Sequence, residues 1–183
     1  MSINTSFIIP HKGREDMLIE TLTSIAELKT PKEQYEVILV SQNKEISEAL
    51  SEFKETVNLR VVNNNENNTI SHSRNLGAGL ATGKYLAFLD ADVALASNWL
   101  DVMINTLSTR DNTVLASAMQ VNSPNAPPLE RIRTALSNAE LDVPVGFLPG
   151  RNLFLLKETF EAAGKFPEHL LTCEDYFLSL IHI

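Results

Sequence analysis

The sequence predicts an α/β fold with a mostly parallel central sheet, formed by one domain of 183 residues. Three observations predict this fold. Short runs of β-branched, aromatic and other apolar residues recur along the chain. Segments with apolar residues at helical spacing lie between them, and strands that alternate with helices usually pair in parallel. No internal repeat and no interdomain linker is found, so a single domain is expected.

Six strands are predicted, each a short apolar run bounded by polar or turn-forming residues. They are residues 6–10, 35–40, 59–62, 85–89, 114–121 and 152–156. Pro10 ends the first strand because proline cannot donate to a sheet ladder. An asparagine-rich loop, residues 63–68, follows the third strand.

Six helices are predicted from apolar residues spaced three or four positions apart. They cover residues 18–25, 46–53, 71–80, 100–107, 129–141 and 157–163. Ser97 is predicted to cap the fourth helix at its N-terminus. Proline and glycine interrupt residues 123–128 and 144–150, so the later part of the chain is expected to be less regular.

Composition excludes several classes of protein. The net charge of −8 and the pI of about 5.0 leave no basic footprint for nucleic acid. The apolar runs are strand-sized, far short of the ~20 residues of a membrane-spanning helix, and the N-terminus lacks the pattern of a signal peptide. Cys173 is the only cysteine, which precludes an intramolecular disulfide. We expect a cytoplasmic protein; peripheral contact with the inner face of a membrane stays open.

Two aspartates at the end of the fourth strand carry the clearest chemistry. Asp90 and Asp92 follow an apolar strand, and ligands of open α/β sheets bind beyond the carboxyl ends of strands. Residues two apart on a strand point to the same side, so both carboxylates can act on one ligand. Mg²⁺ and similar hard cations bind carboxylates together with substrate phosphates. The pattern predicts a metal site for a diphosphate; two solvated aspartates at a turn are the alternative.

Three motifs occur in an order that resembles the family 2 glycosyltransferases with a GT-A fold. They are I-I-P at residues 8–10, S-R-N-L-G at 73–77 and L-D-A-D at 89–92. Three later motifs resemble the acceptor-side region of the same family, so the resemblance covers nearly the whole chain. They are G-R-N-L at residues 150–153, F-E-A-A-G-K-F-P-E at 160–168 and E-D at 174–175.

The resemblance implies a GT-A (Rossmann-like) three-layer sandwich with a mostly parallel sheet. Residues 1–121 would form the nucleotide-sugar-binding half and residues 122–183 the acceptor-side half. Relatives usually continue well beyond the position that matches Asp175, whereas this chain ends eight residues later. We therefore expect a truncated chain with an incomplete acceptor-side half.

Residue by residue, the resemblance also implies roles in catalysis. Asp92 would coordinate the metal, and Asp90 would assist it or hold the ribose. Arg74 matches a position near the nucleotide, where a guanidinium can bond to base or phosphate oxygens. Asp175 matches the catalytic base, with Glu174 as its neighbour and support.

Further donor-site residues follow from the same resemblance. Gly150 matches a position where the backbone approaches the donor sugar, which a side chain would obstruct. The other residues matched to the nucleotide-sugar site are Pro10, His11, Gln42, Asn75, Ala91 and Arg151. One departure is Ser41-Gln42, where many relatives carry two aspartates. Gln42 or Asn43 can still bond to a base edge, because each side chain has both a donor and an acceptor.

The implied reaction is the transfer of a sugar from a nucleoside diphosphate sugar to an acceptor hydroxyl, with inversion and with Mn²⁺ or Mg²⁺. A UDP-sugar is the favoured donor, with GDP or dTDP sugars as alternatives, and a saccharide or lipid-linked molecule is the expected acceptor. Two other functions stay open: nucleotide-sugar binding without turnover, and sugar-phosphate nucleotidyl transfer. The last is ranked lowest because residues 10–14 contain one glycine and no glycine-rich phosphate loop.

Overall fold

The fold was analysed in a computed structural model that describes residues 3–111 and 113–180. Its centre is a six-stranded sheet with the spatial order β3-β2-β1-β4-β6-β5. The strands are β1 (Thr5–His11), β2 (Tyr35–Ser41), β3 (Leu59–Asn63), β4 (Tyr85–Leu89), β5 (Leu115–Ala116) and β6 (Asn152–Leu156). Four neighbouring strands pair in parallel, and β6 runs antiparallel to both β4 and β5. The predicted mostly parallel sheet is confirmed.

Helices cover both faces of this sheet. They are α1 (Glu15–Ala26), α2 (Glu48–Ser51), α3 (Phe53–Thr56), α4 (Ile70–Leu80), α5 (Trp99–Thr109), α6 (Pro128–Ser137), α7 (Lys157–Ala162) and α8 (Glu174–Leu180). Phe7 and Ile9 belong to one buried apolar cluster and Ile8 to a second, because successive strand residues point to opposite faces. The first cluster packs under α1 and α5, and the second under α4 and α7. The three-layer arrangement is therefore confirmed.

Helix α4 lies unusually close to the sheet. A Cβ atom placed on Gly77 would lie 2.5 Å from Cγ2 of Ile8, so only glycine fits between α4 and β1. Thr69 caps the helix by accepting a hydrogen bond from the backbone N–H of His72 at 3.1 Å. Because α4 begins just after the loop that follows β3, its first two turns lie near the carboxyl ends of the strands. This places Arg74 beside the predicted site.

The structure corrects several predicted boundaries after residue 111. Strand β5 has two residues, not the eight of 114–121, because only Leu115 and Ala116 pair with β6. Beyond them, Gln120 exchanges backbone hydrogen bonds with the side chain of Asn138, at 2.9 and 2.7 Å. Helix α6 ends at Ser137, not at the predicted residue 141, and Asn138 is the residue that follows it.

Two boundaries in the first part also differ. The helix predicted at residues 46–53 is two short helices, α2 and α3. The N-cap residue of α5 is Asn98, not Ser97. Within residues 3–111 and 113–180, no helix is both long and apolar enough to cross a lipid bilayer. The predicted division of the chain at residue 121 stays a prediction.

Candidate functional site

The site lies where the strand order reverses. From β1 the chain proceeds through β2 to β3 on one side, whereas β4 lies on the other side of β1. Open α/β sheets bind ligands in the crevice at such a switch point. A cleft of about 220 Å³ is present there. It is lined by Pro10, His11, Lys12, Arg14, Met17, Ile70, Asp90, Ala91 and Asp92. Five predicted donor-site residues therefore share one cleft.

His11 and Asn43 hold the loop that forms one wall of this cleft. His11 is buried, with Nε2 at 3.2 Å from the carbonyl oxygen of Arg14 and Nδ1 at 3.2 Å from Oγ of Ser41. A carbonyl oxygen only accepts hydrogen bonds, so in a neutral His11 ring the proton lies on Nε2. Asn43 accepts from the N–H of Gly13 at 2.8 Å and donates to its carbonyl at 3.0 Å. Gly13 has φ +93°, a conformation that favours glycine.

The two aspartates of the cleft have different surroundings. Asp90 is partly buried, and its Oδ1 accepts a hydrogen bond from Nη2 of Arg74 at 2.9 Å. Burial raises the pKa of Asp90. The negative charges of Asp92 and Glu174 also raise it, whereas Arg74 lowers it. Asp92 is exposed, and within the described part of the chain no group donates a hydrogen bond to its carboxylate. Asp92 is thus available to a ligand.

A divalent cation fits this arrangement as part of a complex with phosphate. Among the described residues, no three His, Cys, Asp or Glu side chains form a metal site by themselves. Asp90 and Glu174 pair with the guanidinium of Arg74, and Asp92 acts electrostatically on Asp90, so the three carboxylates when ionised leave an excess of two negative charges over Arg74. Mg²⁺ is usually bound by one or two carboxylates together with substrate phosphates and water. The donor set matches a cation that binds with a diphosphate.

Arg74 connects Asp90 in the cleft to Glu174, the residue before Asp175. Its side chain is 2% exposed. Nη1 donates to Oε1 of Glu174 at 2.7 Å, and Nη2 donates to Asp90 and to the carbonyl of Gly150 at 3.3 Å. The guanidinium lies over the ring of Phe166, 5.2 Å from its centroid. We call Arg74 and its partners Asp90, Glu174 and Gly150 the Arg74 cluster.

Asp175, the predicted base, is held by two backbone groups. Its Oδ2 accepts from the N–H of Gly150 and its Oδ1 from the N–H of Tyr176, both at 2.8 Å. A Cβ atom on Gly150 would lie 3.1 Å from both Nη atoms of Arg74 and from Cβ of Asp175. The close approach at Gly150 is therefore made to these two side chains.

Comparison with known proteins decides the family. The model of the Glycosyl transferase family 2 matches residues 6–165. The chain belongs to glycosyltransferase family 2. Over 178 residues it is 25% identical to Glycosyltransferase AglE of Haloferax volcanii, an alignment that covers 93% of this chain and 58% of AglE. The predicted family is confirmed.

Solved structures confirm the GT-A fold of this family 2 chain. TarS of S. aureus in complex with UDP-GlcNAc superposes with a TM-score of 0.77 at 20% identity, over 98% of this chain and 53% of TarS 1-349. The mannosyltransferase PcManGT from Pyrobaculum calidifontis, in complex with GDP-Man and Mn²⁺, superposes with a TM-score of 0.74 at 21% identity. This superposition covers 98% of this chain and 51% of PcManGT. The chain thus spans about half the length of these proteins.

Three predicted donor-site residues of the family 2 chain bond to other protein groups: Gln42 and Asn75 to loop segments, and Arg151 to the end of α6. Nε2 of Gln42 donates to two carbonyls of the loop 65–68, at 2.7 and 2.9 Å. Asn75 donates to the carbonyl of Phe166 at 2.9 Å and accepts from its N–H at 3.1 Å. Arg151 donates to Oγ of Ser137 at 3.0 Å. None of the three lines the described cleft, and their contact with a donor stays a prediction.

Phe166 and Glu168 are partners of α4 that are not among the predicted site residues. Nδ2 of Asn75 donates to Oε1 of Glu168 at 2.9 Å, and Nδ1 of His72 lies 2.9 Å from Oε2. These contacts join residues more than 90 positions apart. No local pattern in the sequence predicts such a contact.

Proposed function

We propose that the chain binds a nucleoside diphosphate sugar in the cleft between β1 and β4 and transfers the sugar to an acceptor hydroxyl. One observation carries this proposal: Asp90 and Asp92 border a cleft at the switch point, and Arg74 connects Asp90 to Glu174, the residue that precedes Asp175. The named ligands of the structural neighbours support it, since TarS binds UDP-GlcNAc and PcManGT binds GDP-Man with Mn²⁺. Family membership favours this reaction over sugar-phosphate nucleotidyl transfer.

The donor diphosphate and a divalent cation, Mn²⁺ or Mg²⁺, would be held by Asp92, with Asp90 as a second ligand or as the ribose contact. When bound, the cation offsets the negative charge that develops on the departing diphosphate. Pro10, His11 and Ala91 form the adjacent cleft walls. Gln42, Asn75, Arg151 and the backbone of Gly150 are proposed as further donor contacts.

Asp175 is proposed to take the proton from the acceptor hydroxyl as the new bond forms. Two backbone N–H groups orient its carboxylate, so the base has a defined position relative to Gly150. Glu174 accepts the 2.7 Å hydrogen bond from Arg74, which leaves it a supporting role. Single displacement with inversion follows if the acceptor attacks opposite the diphosphate. A saccharide or a lipid-linked hydroxyl is the proposed acceptor.

Donor binding is tested by isothermal titration with UDP, GDP, dTDP and CDP, each with and without Mn²⁺. We expect one nucleotide to bind only with Mn²⁺, and Asp92→Ala to weaken it more than tenfold because an essential carboxylate ligand is lost. Asp111→Ala is the matched control, since this exposed aspartate follows α5 at the opposite edge of the sheet. Equal affinity in wild type and Asp92→Ala would contradict the proposed site.

Turnover is tested with the sugar nucleotide whose base binds, by measuring the released nucleoside diphosphate. Asp175→Asn is expected to lower the rate about 100-fold or more while donor affinity is kept, because a general base typically contributes 10²–10⁴-fold. Binding without release in the wild type would favour the alternative of a nucleotide-sugar-binding chain without turnover.

A further inference from the structure

We propose that Arg74 is a positioning residue that couples the carboxylate of Asp90 to helix α8, which carries Asp175, without itself contacting the nucleotide. The catalytic importance of α8 rests on the proposed function, in which Asp175 is the base. The coupling itself rests on the contacts of the Arg74 cluster alone. Arg74 would thus set the distance between the donor side and the acceptor side of the site.

The hydrogen bonds of Arg74 leave little of it for a nucleotide. One Nη atom donates to Glu174, and the other donates to Asp90 and to the carbonyl of Gly150. The side chain is 2% exposed, with Phe166 covering one face of the guanidinium. Of the two N–H groups that these three bonds leave over, the one on Nε is buried and has no hydrogen-bond partner in the described part of the chain. A ligand would reach this guanidinium only after displacing protein groups.

The three partners belong to different parts of the fold. Asp90 follows β4, Gly150 precedes β6 and Glu174 is the first residue of α8; they are 16, 76 and 100 positions from Arg74. A guanidinium presents its donors in a rigid planar fork, so bonds to several partners fix their relative positions. A lysine ammonium, as a compact point charge, lacks this geometry.

Two routes lead from this cluster to Asp175. Glu174 is the preceding residue, so the 2.7 Å bond to Arg74 holds the first turn of α8. Gly150 accepts from Arg74 through its carbonyl and donates to Oδ2 of Asp175 through its N–H. A change at Asp90 would therefore reach Asp175 through Arg74. By contrast, Asp92 has no hydrogen bond to Arg74 within residues 3–111 and 113–180.

The test uses Asp90→Asn as a perturbation on the donor side and reads amide hydrogen exchange in α8, with millisecond mixing because short helices exchange quickly. We expect exchange in residues 174–180 to accelerate about tenfold, since a charge-assisted hydrogen bond to Arg74 is weakened. Asp92→Asn, the neighbouring carboxylate, should leave α8 unchanged. Exchange in α5, on the other face of the sheet, should be unchanged in both variants.

The same perturbation is then made in Arg74→Lys, where Asp90→Asn should add no further acceleration. If Arg74→Lys does not fold, Glu174→Gln interrupts the route through Glu174 and should reduce the effect, because only the route through Gly150 is left. Arg110→Lys is the matched control, because the Arg110–Asp142 pair is exposed, and it should leave the response to Asp90→Asn intact. No response of α8, the same response in both backgrounds, or equal acceleration of α5 would each overturn the proposal.

Nucleotide affinity separates positioning from ligand contact. For Mn²⁺ with UDP or GDP, Arg74→Lys should leave Kd within about twofold while the transfer rate falls at least tenfold, because base placement, not donor binding, is altered. A tenfold loss of affinity with unchanged α8 exchange would make Arg74 a nucleotide ligand. Absence of binding by the wild type would count against the proposed function, and the exchange result would still decide this inference.

Discussion

The parts of the chain before and after residue 112 bury their apolar residues differently. In α1 and α5, the apolar stripe faces the sheet, and Leu22 and Leu100 are almost fully buried. In α6 the stripe faces solvent: Leu129 is 72% and Leu136 72% exposed, whereas the buried residue is Thr134. Among the described residues, every exposed large hydrophobic side chain except Val102 follows residue 112.

This difference shows what hydrophobic periodicity determines. The spacing of Leu129, Ile132 and Leu136 correctly predicts a helix, because one apolar stripe recurs at helical spacing. The spacing alone does not determine which way the stripe points. In the first part of the chain, both sheet faces are available for helices to cover, so helix formation and burial coincide. The site depends mainly on that first part, because β1 and β4 supply the cleft.

The largest expected contrast compares the same substitution in two helices. Leu22→Ala in α1 should lower the free energy of unfolding by about 2–5 kcal/mol, because a fully buried leucine leaves a cavity. Leu136→Ala in α6 should change it by less than about 0.5 kcal/mol, as at other exposed positions. Urea denaturation measures both. A loss above about 1 kcal/mol for Leu136→Ala would indicate that the stripe of α6 is covered in solution.

The same contrast explains how much the sequence could predict. Strands β1, β2 and β4 were predicted within one or two residues, because their β-branched and aromatic runs are buried. The position of Asp90 and Asp92 at the cleft followed from the end of β4. The partners of Arg74 could not be predicted, since they lie up to 100 positions away. The short length of β5 could not be predicted either, since the apolar run does not show that only Leu115 and Ala116 pair with β6.

Two glycines of α4 sharpen the comparison within the first part. Gly77→Ala should lower the free energy of unfolding by about 1–3 kcal/mol, because its Cβ would lie 2.5 Å from a buried side-chain atom of Ile8. Gly79→Ala should raise it by up to about 1 kcal/mol, because a Cβ there meets no atom within 4 Å and alanine favours helix. Thermal unfolding of the two variants measures the difference. Equal shifts would contradict the close approach of α4 to β1.

Gly150 lies against Arg74 of the first part of the chain and Asp175 of the second. Gly150→Ala is expected to cost about 1 kcal/mol, less than Gly77→Ala, because contacts at 3.1 Å are relieved by small shifts of Arg74 and Asp175. Those shifts would displace the proposed base, so the transfer rate should fall more than the stability suggests. Parallel denaturation and rate measurements separate the two effects. An unchanged rate would mean that the position of Asp175 tolerates this displacement.

The smallest expected effect concerns Glu168, which connects α4 to the segment before α8. Hydrogen bonds from Asn75 and His72 lower the pKa of this carboxyl, with Lys165 acting in the same direction. A lowered folded-state pKa stabilises the fold above the unfolded value, and that stabilisation is lost as the pH falls through the folded value. Glu168→Gln should therefore lower the free energy of unfolding near pH 7, by less than about 1 kcal/mol because the side chain is half exposed.

The difference in the free energy of unfolding between wild type and Glu168→Gln should close as the pH falls through the lowered folded-state pKa of Glu168, because the wild-type carboxyl then becomes protonated. Urea denaturation at neutral and acidic pH measures it. Glu161→Gln is the control, because its contact with Lys157 is exposed and 4.0 Å long. A difference that persists at low pH would assign the stabilisation to the shape of the side chain. If the difference in the free energy of unfolding closes at low pH, the stabilisation comes from the charge of Glu168. This connection between the two parts of the chain would then weaken in acid.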